Sequence, residues 1–395
     1  MFSLLLALIY VCFISLGLPD SLLGSAWPIM QHDLNVPMSY AGIISVIIFI
    51  GTIISSFMSD WLVKKVSSGK ITAISVSMTA IALFGFSVSS RYWMLLLWAI
   101  PYGLGAGGVD AVLNNYVALH YKAQHMSWLH CFWGVGASIS PYIMSFALTK
   151  LESWSSGYRI VSIIQIVLSI IIFCSLPMWK KSVDNGSGEN GASTAPLKIK
   201  EILSIKGAIP CFWAFFAYCA FELTTTLWTS SYLVESRGID AETASAFASF
   251  FYIGITVGRA INGFLAMRFS DRTLIRTGIC ITLVGLLAVL LPIGNVFALA
   301  GFVVIGLGCA PIYPCIIHMT PDVFGRDKSQ AMIGFQMGFA YVGFCVMPPL
   351  FGLIAQYVSI GLLPVYLLFL LIVMTLMHEV MIKKTSKNAD QFDMR

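Results

Sequence analysis

Residues 92–121 read YWMLLLWAIPYGLGAGGVDAVLNNYVALHY. The run carries a single Asp or Glu, Asp110, and no Lys or Arg. As an α-helix it would rise about 45 Å at 1.5 Å per residue, enough to cross a hydrocarbon core of about 30 Å. A helix satisfies its own backbone hydrogen bonds, so such a segment needs no water and no partner strand inside a bilayer. The stretch predicts a membrane-crossing helix, and the rest of the chain repeats it. Apolar runs parted by short polar breaks give spans near 3–30, 39–61, 71–90, 92–121, 126–149 and 158–178, then 207–235, 242–267, 273–293, 295–319, 328–357 and 360–382.

Composition agrees. The chain has 395 residues, of which 58% are hydrophobic and 10% charged, against about 25% charged in soluble domains. Mean hydropathy is +0.86. These values exclude a soluble enzyme, a nucleic-acid binder and a disordered chain. The surrounding medium is the lipid bilayer. The nine cysteines lie in apolar runs, without a CxxC pair or a cluster with histidine, so neither a disulfide framework nor a metal site is expected. No nucleotide-binding motif is present, and no cofactor is expected. Gly24-Ser25-Ala26 has the small residues of a leader-cleavage site, but no basic segment precedes it and the apolar run continues through Trp27-Pro28. It is read as part of the first span.

The loop 179–206, containing Asp184-Asn185-Gly186-Ser187-Gly188-Glu189-Asn190-Gly191, is the one low-complexity stretch. It predicts a cytoplasmic linker between an N-terminal bundle, 1–178, and a C-terminal bundle, 207–383, with a tail at 384–395. With twelve spans, 18 of the 23 Lys and Arg fall on the side that holds both termini and the linker, and 4 on the other. The positive-inside rule makes that side cytoplasmic, and the plasma membrane, as a bacterial inner membrane, is the expected location. The net charge of +5 therefore records orientation rather than an anionic partner.

The two halves repeat. Gly103-Leu104-Gly105-Ala106 recurs as Gly306-Leu307-Gly308-Cys309, an offset of 203. Gly51 and Ser56 align with Gly258 and Gly263, and Gly136 and Pro141 with Gly343 and Pro348, at 207. The expectation is an all-α integral membrane protein with twelve transmembrane helices in two pseudo-symmetric six-helix bundles. Parallel halves with a site between them are a transporter architecture.

In these features the chain resembles the major facilitator superfamily over nearly its whole length. Ser56-Phe57-Met58-Ser59-Asp60-Trp61-Leu62-Val63-Lys64-Lys65 is similar to a degenerate form of its G-x-x-x-D-R-x-G-R-K signature, which implies a cytoplasmic gate at Asp60, Lys64 and Lys65. After span 8, Gly263 and Arg268 persist while Met267 stands in place of the acid. Ordinary positive-inside charge beside a helix end explains the same residues. Three further segments, Gly17–Pro28, Asp110–Tyr116 and Leu129–Ala137, resemble the fucose–galactose–glucose:proton symporter branch. That resemblance implies that Asp20 and Asp110 serve proton coupling and sugar binding. Asn114 matches the branch's asparagine, and Asn115 stands where its proline would be.

Four formal charges lie well within spans: Asp20, Asp110, Glu222 and Arg259. A charge at bilayer depth costs at least about 2.5–3.5 kcal/mol, so such groups mark a pathway, a relay or a structural ion pair. Pro19 weakens the helix at Asp20. Gly24 and Trp27 then share its face, which gives Trp27 two readings, a sugar-stacking ring or an interface anchor. Asp110 and Asn114 share a face and offer a polyhydroxyl ligand both acceptors and donors. The glycines from Gly103 to Gly108 predict close helix approach. Glu222 is a candidate proton carrier with Tyr218, Thr225 and Thr229 on its stripe, or a carboxyl hydrogen-bonded to those threonines; Trp228 points elsewhere. Arg259, on a face with Tyr252, is free by spacing to pair with Glu222 or with Asp110. His130 is a possible proton shuttle or a structural histidine, and Trp133 borders it. Tyr313 and Gln336 are further candidate contacts.

The reading is a secondary transporter working by alternating access, taking up a sugar or similar small polar solute with protons, and working as a monomer. Proton-driven efflux of an amphipathic metabolite and a non-transporting sensor of the same fold are the alternatives.

Overall fold

The computed structural model describes residues 4–37, 40–185, 196–291 and 294–389. Regular structure among them is helical throughout. The first span is α1 (Leu4–Gly17), a 3₁₀ turn (Leu18–Ser21) and α2 (Leu22–Asp33). Pro19 sits in the first positions of that turn, where its missing N–H costs least. There follow α3 (Tyr40–Phe57), the short α4 (Ser59–Val66), α5 (Ser68–Val88), α6 (Tyr92–His120), α7 (Ala123–Lys150) and α8 (Trp154–Asn185). After α9 (Ile199–Ser204) come α10 (Ala208–Glu235), α11 (Ala241–Leu265), α12 (Asp271–Leu290), α13 (Asn295–Cys309), α14 (Ile312–Phe324) and α15 (Ser329–Ile354). A π segment (Ala355–Ser359) and a 3₁₀ turn (Ile360–Leu362) lead into α16 (Leu363–Ala389).

Ten helical stretches are long and apolar enough to cross a membrane. One of them, Ser329–Thr385, folds as two helices, α15 and α16, and α11 holds a shorter apolar stretch, Phe250–Leu265. The twelve expected spans are all present. Helix α8 runs on to Asn185 and α9 occupies 199–204, so the described parts of the expected linker are largely helical. Its glycine-rich centre, and the last residues of the tail, lie outside the described residues.

The chain divides into two compact units. One is the chain up to His120 with Leu129–Leu197; the other is Tyr121–Trp128 with the chain from Lys198 onward. The repeat seen in the sequence has a physical counterpart in each. In the first, a Cβ on Gly103 would stand 2.2 Å from the Ile48 carbonyl oxygen of α3, and one on Gly105 would stand 2.6 Å from that of Ser75 on α5. In the second, a Cβ on Gly306 would stand 2.5 Å from the Phe251 oxygen of α11, and one on Gly308 would stand 2.5 Å from the Thr282 nitrogen of α12. A G-x-G pair thus lets one helix of each unit press against two neighbours at once, in the same order.

Candidate functional site

Helices α1 and α7 touch backbone to backbone. A Cβ on Gly136 would stand 2.1 Å from the Ile14 oxygen, and one on Gly17 would stand 2.2 Å from the Trp133 oxygen. This approach brings the Trp133 indole to the 3₁₀ turn, where its Nε1 donates to Asp20 Oδ2 at 2.9 Å. From α6, the Tyr102 hydroxyl donates to Asp20 Oδ1 at 3.4 Å. Asp20 itself remains exposed. A carboxylate offers about four lone-pair positions, so two donors leave Asp20 able to accept from a hydroxyl-bearing ligand.

Trp27 belongs to the packed interior of the same unit. It is buried and packs edge-on to Tyr92 at 6.5 Å, inside a cluster with Phe86, Tyr102 and Tyr158.

A buried chain of polar groups runs through the same unit. On α6, Asn114 Nδ2 donates to Asp110 Oδ1 at 2.8 Å and to the Asp110 backbone oxygen at 3.0 Å. Its other end, Oδ1, lies 3.0 Å from His130 Nε2 on α7. With the amide hydrogens turned toward Asp110, Oδ1 accepts, so His130 carries its proton on Nε2. The imidazole is wedged edge-on against Phe13 at 5.4 Å. Asp110, Asn114 and His130 are all buried, as is Asn115. Sequence spacing had paired Asp110 with Asn114; the third member comes from another helix.

The sequence reading missed a second polar group in this unit. Thr79 donates to Gln165 Oε1 at 2.8 Å, and Gln165 Nε2 donates to the Ser15 carbonyl at 2.8 Å. Together with Tyr102 these residues line a cavity of about 10 Å³, a volume that suits one water. Gln165, a polar side chain in the middle of an apolar run, was the available signal.

In the second unit Arg259 Nη2 stands 3.3 Å from Glu222 Oε1, with both side chains nearly buried. The guanidinium lies 6.0 Å from the centre of the Tyr313 ring. Tyr218, one turn before Glu222, donates to the Cys309 carbonyl at 3.0 Å. Of the partners left open for Arg259, Glu222 is one that it meets. The threonines on the Glu222 stripe are occupied elsewhere: Thr225 bonds back to Phe221 O and Thr229 to Thr225 O. Trp228 donates to the Pro348 carbonyl at 3.0 Å and packs on Phe351. Tyr252 is exposed beside Phe251. Gln336 is buried against Thr320 and Cys211.

Asp60 is buried, and its Oδ2 accepts from Lys64 Nζ at 3.0 Å and from the Leu197 amide at 3.1 Å. It therefore anchors the segment leading out of the first unit. Lys65 sits 4.1 Å over the Trp61 ring, and Arg268 is exposed.

The family model described as Major Facilitator Superfamily matches residues 9–240 and 210–393. The chain is 23% identical over 388 residues to Bypass of stop codon protein 6 of Saccharomyces cerevisiae, covering 90% of this chain and 77% of that one. It is 24% identical over 338 residues to the Glucose/mannose transporter GlcP of Bacillus subtilis, covering 80% of each. The fold resembles the crystal structure of the transporter FucP in its outward conformation, with a TM-score of 0.75 at 17% identity, covering 95% of this chain and 98% of that one. Twelve apolar helices, a repeat with matching contacts and a family match across nearly all of its length carry one conclusion: the chain belongs to the Major Facilitator Superfamily and is a multi-pass membrane transport protein.

Proposed function

We propose that this protein takes up a sugar or a similar small polar solute together with protons, by alternating access. The observation that carries the reading is the pairing, within one unit, of an accessible carboxylate and a buried one. Asp20 is exposed at the protein surface and framed by the N–H of Trp133 and the hydroxyl of Tyr102. An indole beside a carboxylate suits a polyhydroxyl ligand, because the ring covers an apolar C–H face while the oxygens accept from hydroxyls. Asp110 is buried and bonded through Asn114 to His130, an arrangement that holds a proton on one member and passes it along neighbouring groups. Glu222, beside Arg259, is a second candidate carrier.

In this reading proton loading at one membrane face accompanies solute binding near Asp20, and release at the other face resets the cycle. The GlcP relative is named for glucose and mannose transport, which supports a sugar-like class. The two six-helix bundles, 1–178 and 207–383, joined through 179–206, would be its moving parts. Asp60, Lys64, Lys65 and Arg268 would act at the cytoplasmic gate. The protein would work as a monomer in a plasma membrane, with both termini cytoplasmic. The test is uptake into proteoliposomes of hexoses, deoxyhexoses and unrelated metabolites under an imposed proton gradient. Accumulation of a sugar only with an inward gradient supports the proposal. Accumulation only with an outward gradient, or of no sugar at all, overturns it.

A further inference from the structure

Within the second unit, the segment Tyr121–Trp128 is held through one link that depends on a proton and others that do not. His318, on α14, has Nδ1 2.7 Å from Asp271 Oδ2 and Nε2 3.4 Å from the Tyr121 carbonyl oxygen. Both partners only accept. A neutral imidazole has one N–H and one lone pair, so it can serve one of them and must turn its lone pair toward the other; the imidazolium donates to both. The second link needs no proton. Asn262 Nδ2 donates to Ser127 Oγ at 2.7 Å. The Trp128 ring packs edge-on to Phe264 at 5.5 Å, in a space that exists because residue 263 is glycine, where a Cβ would lie 2.0 Å from Trp128 Nε1.

We propose that His318 and Asp271 form a proton-binding site, distinct from Asp20, Asp110 and Glu222, which in its protonated state tethers the segment Tyr121–Trp128 at its Tyr121 end. The charged groups acting on His318 are Asp271 from α12 and Asp322, one turn further along α14. The tethered segment brings Tyr121 against it, with Lys122 and His125 next in sequence and the His125 ring 5.8 Å from that of Tyr121. Cys315 lies on the same helix, 3.6 Å from Asn262. Asp271 Oδ1 and Asn262 Oδ1 are buried and have no hydrogen-bond partner among the described residues. The region is thus rich in acceptors and short of donors, which is the setting that rewards an added proton. When His318 loses its proton, the hydrogen still shared with Asp271 leaves the Tyr121 carbonyl facing a lone pair. The Tyr121 end is then released, while Ser127 and Trp128 stay fixed.

The experiment uses the whole protein in nanodiscs, with no transport substrate, so its result is independent of the uptake proposal. Histidine ¹⁵N spectra between pH 5 and 8 give the protonation of each ring nitrogen, and the His318 signal is identified by its loss in His318→Gln. Amide hydrogen exchange of 121–128 is followed across the same range, corrected for base catalysis. The expected result is a ring protonated on both nitrogens at low pH. Its titration should accompany a roughly tenfold faster exchange at the Tyr121 end, the factor that loss of one charged hydrogen bond brings. In His318→Gln that step should vanish. Should that variant not fold, Asp271→Asn, which removes the carboxylate at Nδ1, identifies the signal by altering its titration. A His318 ring that keeps one bare nitrogen throughout, or exchange at the Tyr121 end that passes through no step while the ring titrates, overturns the proposal.

Discussion

Asn114 Nδ2 stands 2.8 Å from Asp110 Oδ1, one turn away on the same helix, while the oxygen of the same amide faces His130. A single side chain therefore sets the direction of a buried hydrogen-bond chain. Replacing Asn114 by Ala strips a partner from a buried carboxyl and from a buried imidazole at once. Each such loss costs about 1–3 kcal/mol. The expected outcome is a clear fall in the melting temperature of the detergent-solubilised protein, larger than for His130→Ala, which leaves the Asp110 contact intact. Thermal unfolding followed by size-exclusion chromatography compares the two.

Trp133 offers Asp20 an N–H and a flat ring, and the two contributions separate. Trp133→Phe keeps a ring and removes the donor to Asp20 Oδ2. A hydrogen bond to a charged acceptor contributes about 1.5–3 kcal/mol to stability, so the variant should unfold somewhat more easily, and KM for the transported solute should rise because Asp20 loses the donor that orients it. Equal KM values would confine Trp133 to packing.

For the Glu222–Arg259 pair, with both members nearly buried, removing one partner leaves a charge uncompensated, at a cost of about 3–5 kcal/mol. Arg259→Met should therefore destabilise strongly, and the double variant with Glu222→Gln should recover part of that loss. A double-mutant cycle on thermal stability reads the coupling. Additive losses would mean that the two charges do not support one another.

Close packing of α1 on α7 makes a purely steric prediction. Gly136→Val places atoms about 2 Å from the Ile14 carbonyl, and no rotamer relieves a clash that begins at Cβ. Folded yield should collapse. Gly24→Val, whose Cβ position has nothing within 4 Å, should express normally. Fluorescence-detected chromatography of the two variants compares them directly.

Much of this molecule was legible in its sequence, for reasons specific to the bilayer. Apolar length marks a span directly, so the twelve helices could be placed from runs such as 92–121. Charge at membrane depth is costly enough that Asp20, Asp110, Glu222 and Arg259 stood out. Spacing within one helix found Asp110 with Asn114. Three kinds of contact escaped. The partner of Asn114 on α7 and the donors to Asp20 on α6 and α7 depend on how helices cross, which helical periodicity does not encode. The cluster that takes up Trp27 likewise depends on side chains from neighbouring helices. Gln165 and His318 carried no motif; one is neutral, the other lies near a helix end, and only their neighbours in space give them roles.

The central claim is that the buried acids couple solute movement to protons. Proteoliposomes containing the native protein, Asp110→Asn or Glu222→Gln are given labelled glucose, mannose and fucose, with an inward proton gradient for accumulation and without one for counterflow. The account predicts that the native protein accumulates at least one of these sugars. It also predicts that at least one neutralised variant loses accumulation while keeping counterflow of the same sugar. Undiminished accumulation against a gradient by both variants would contradict it.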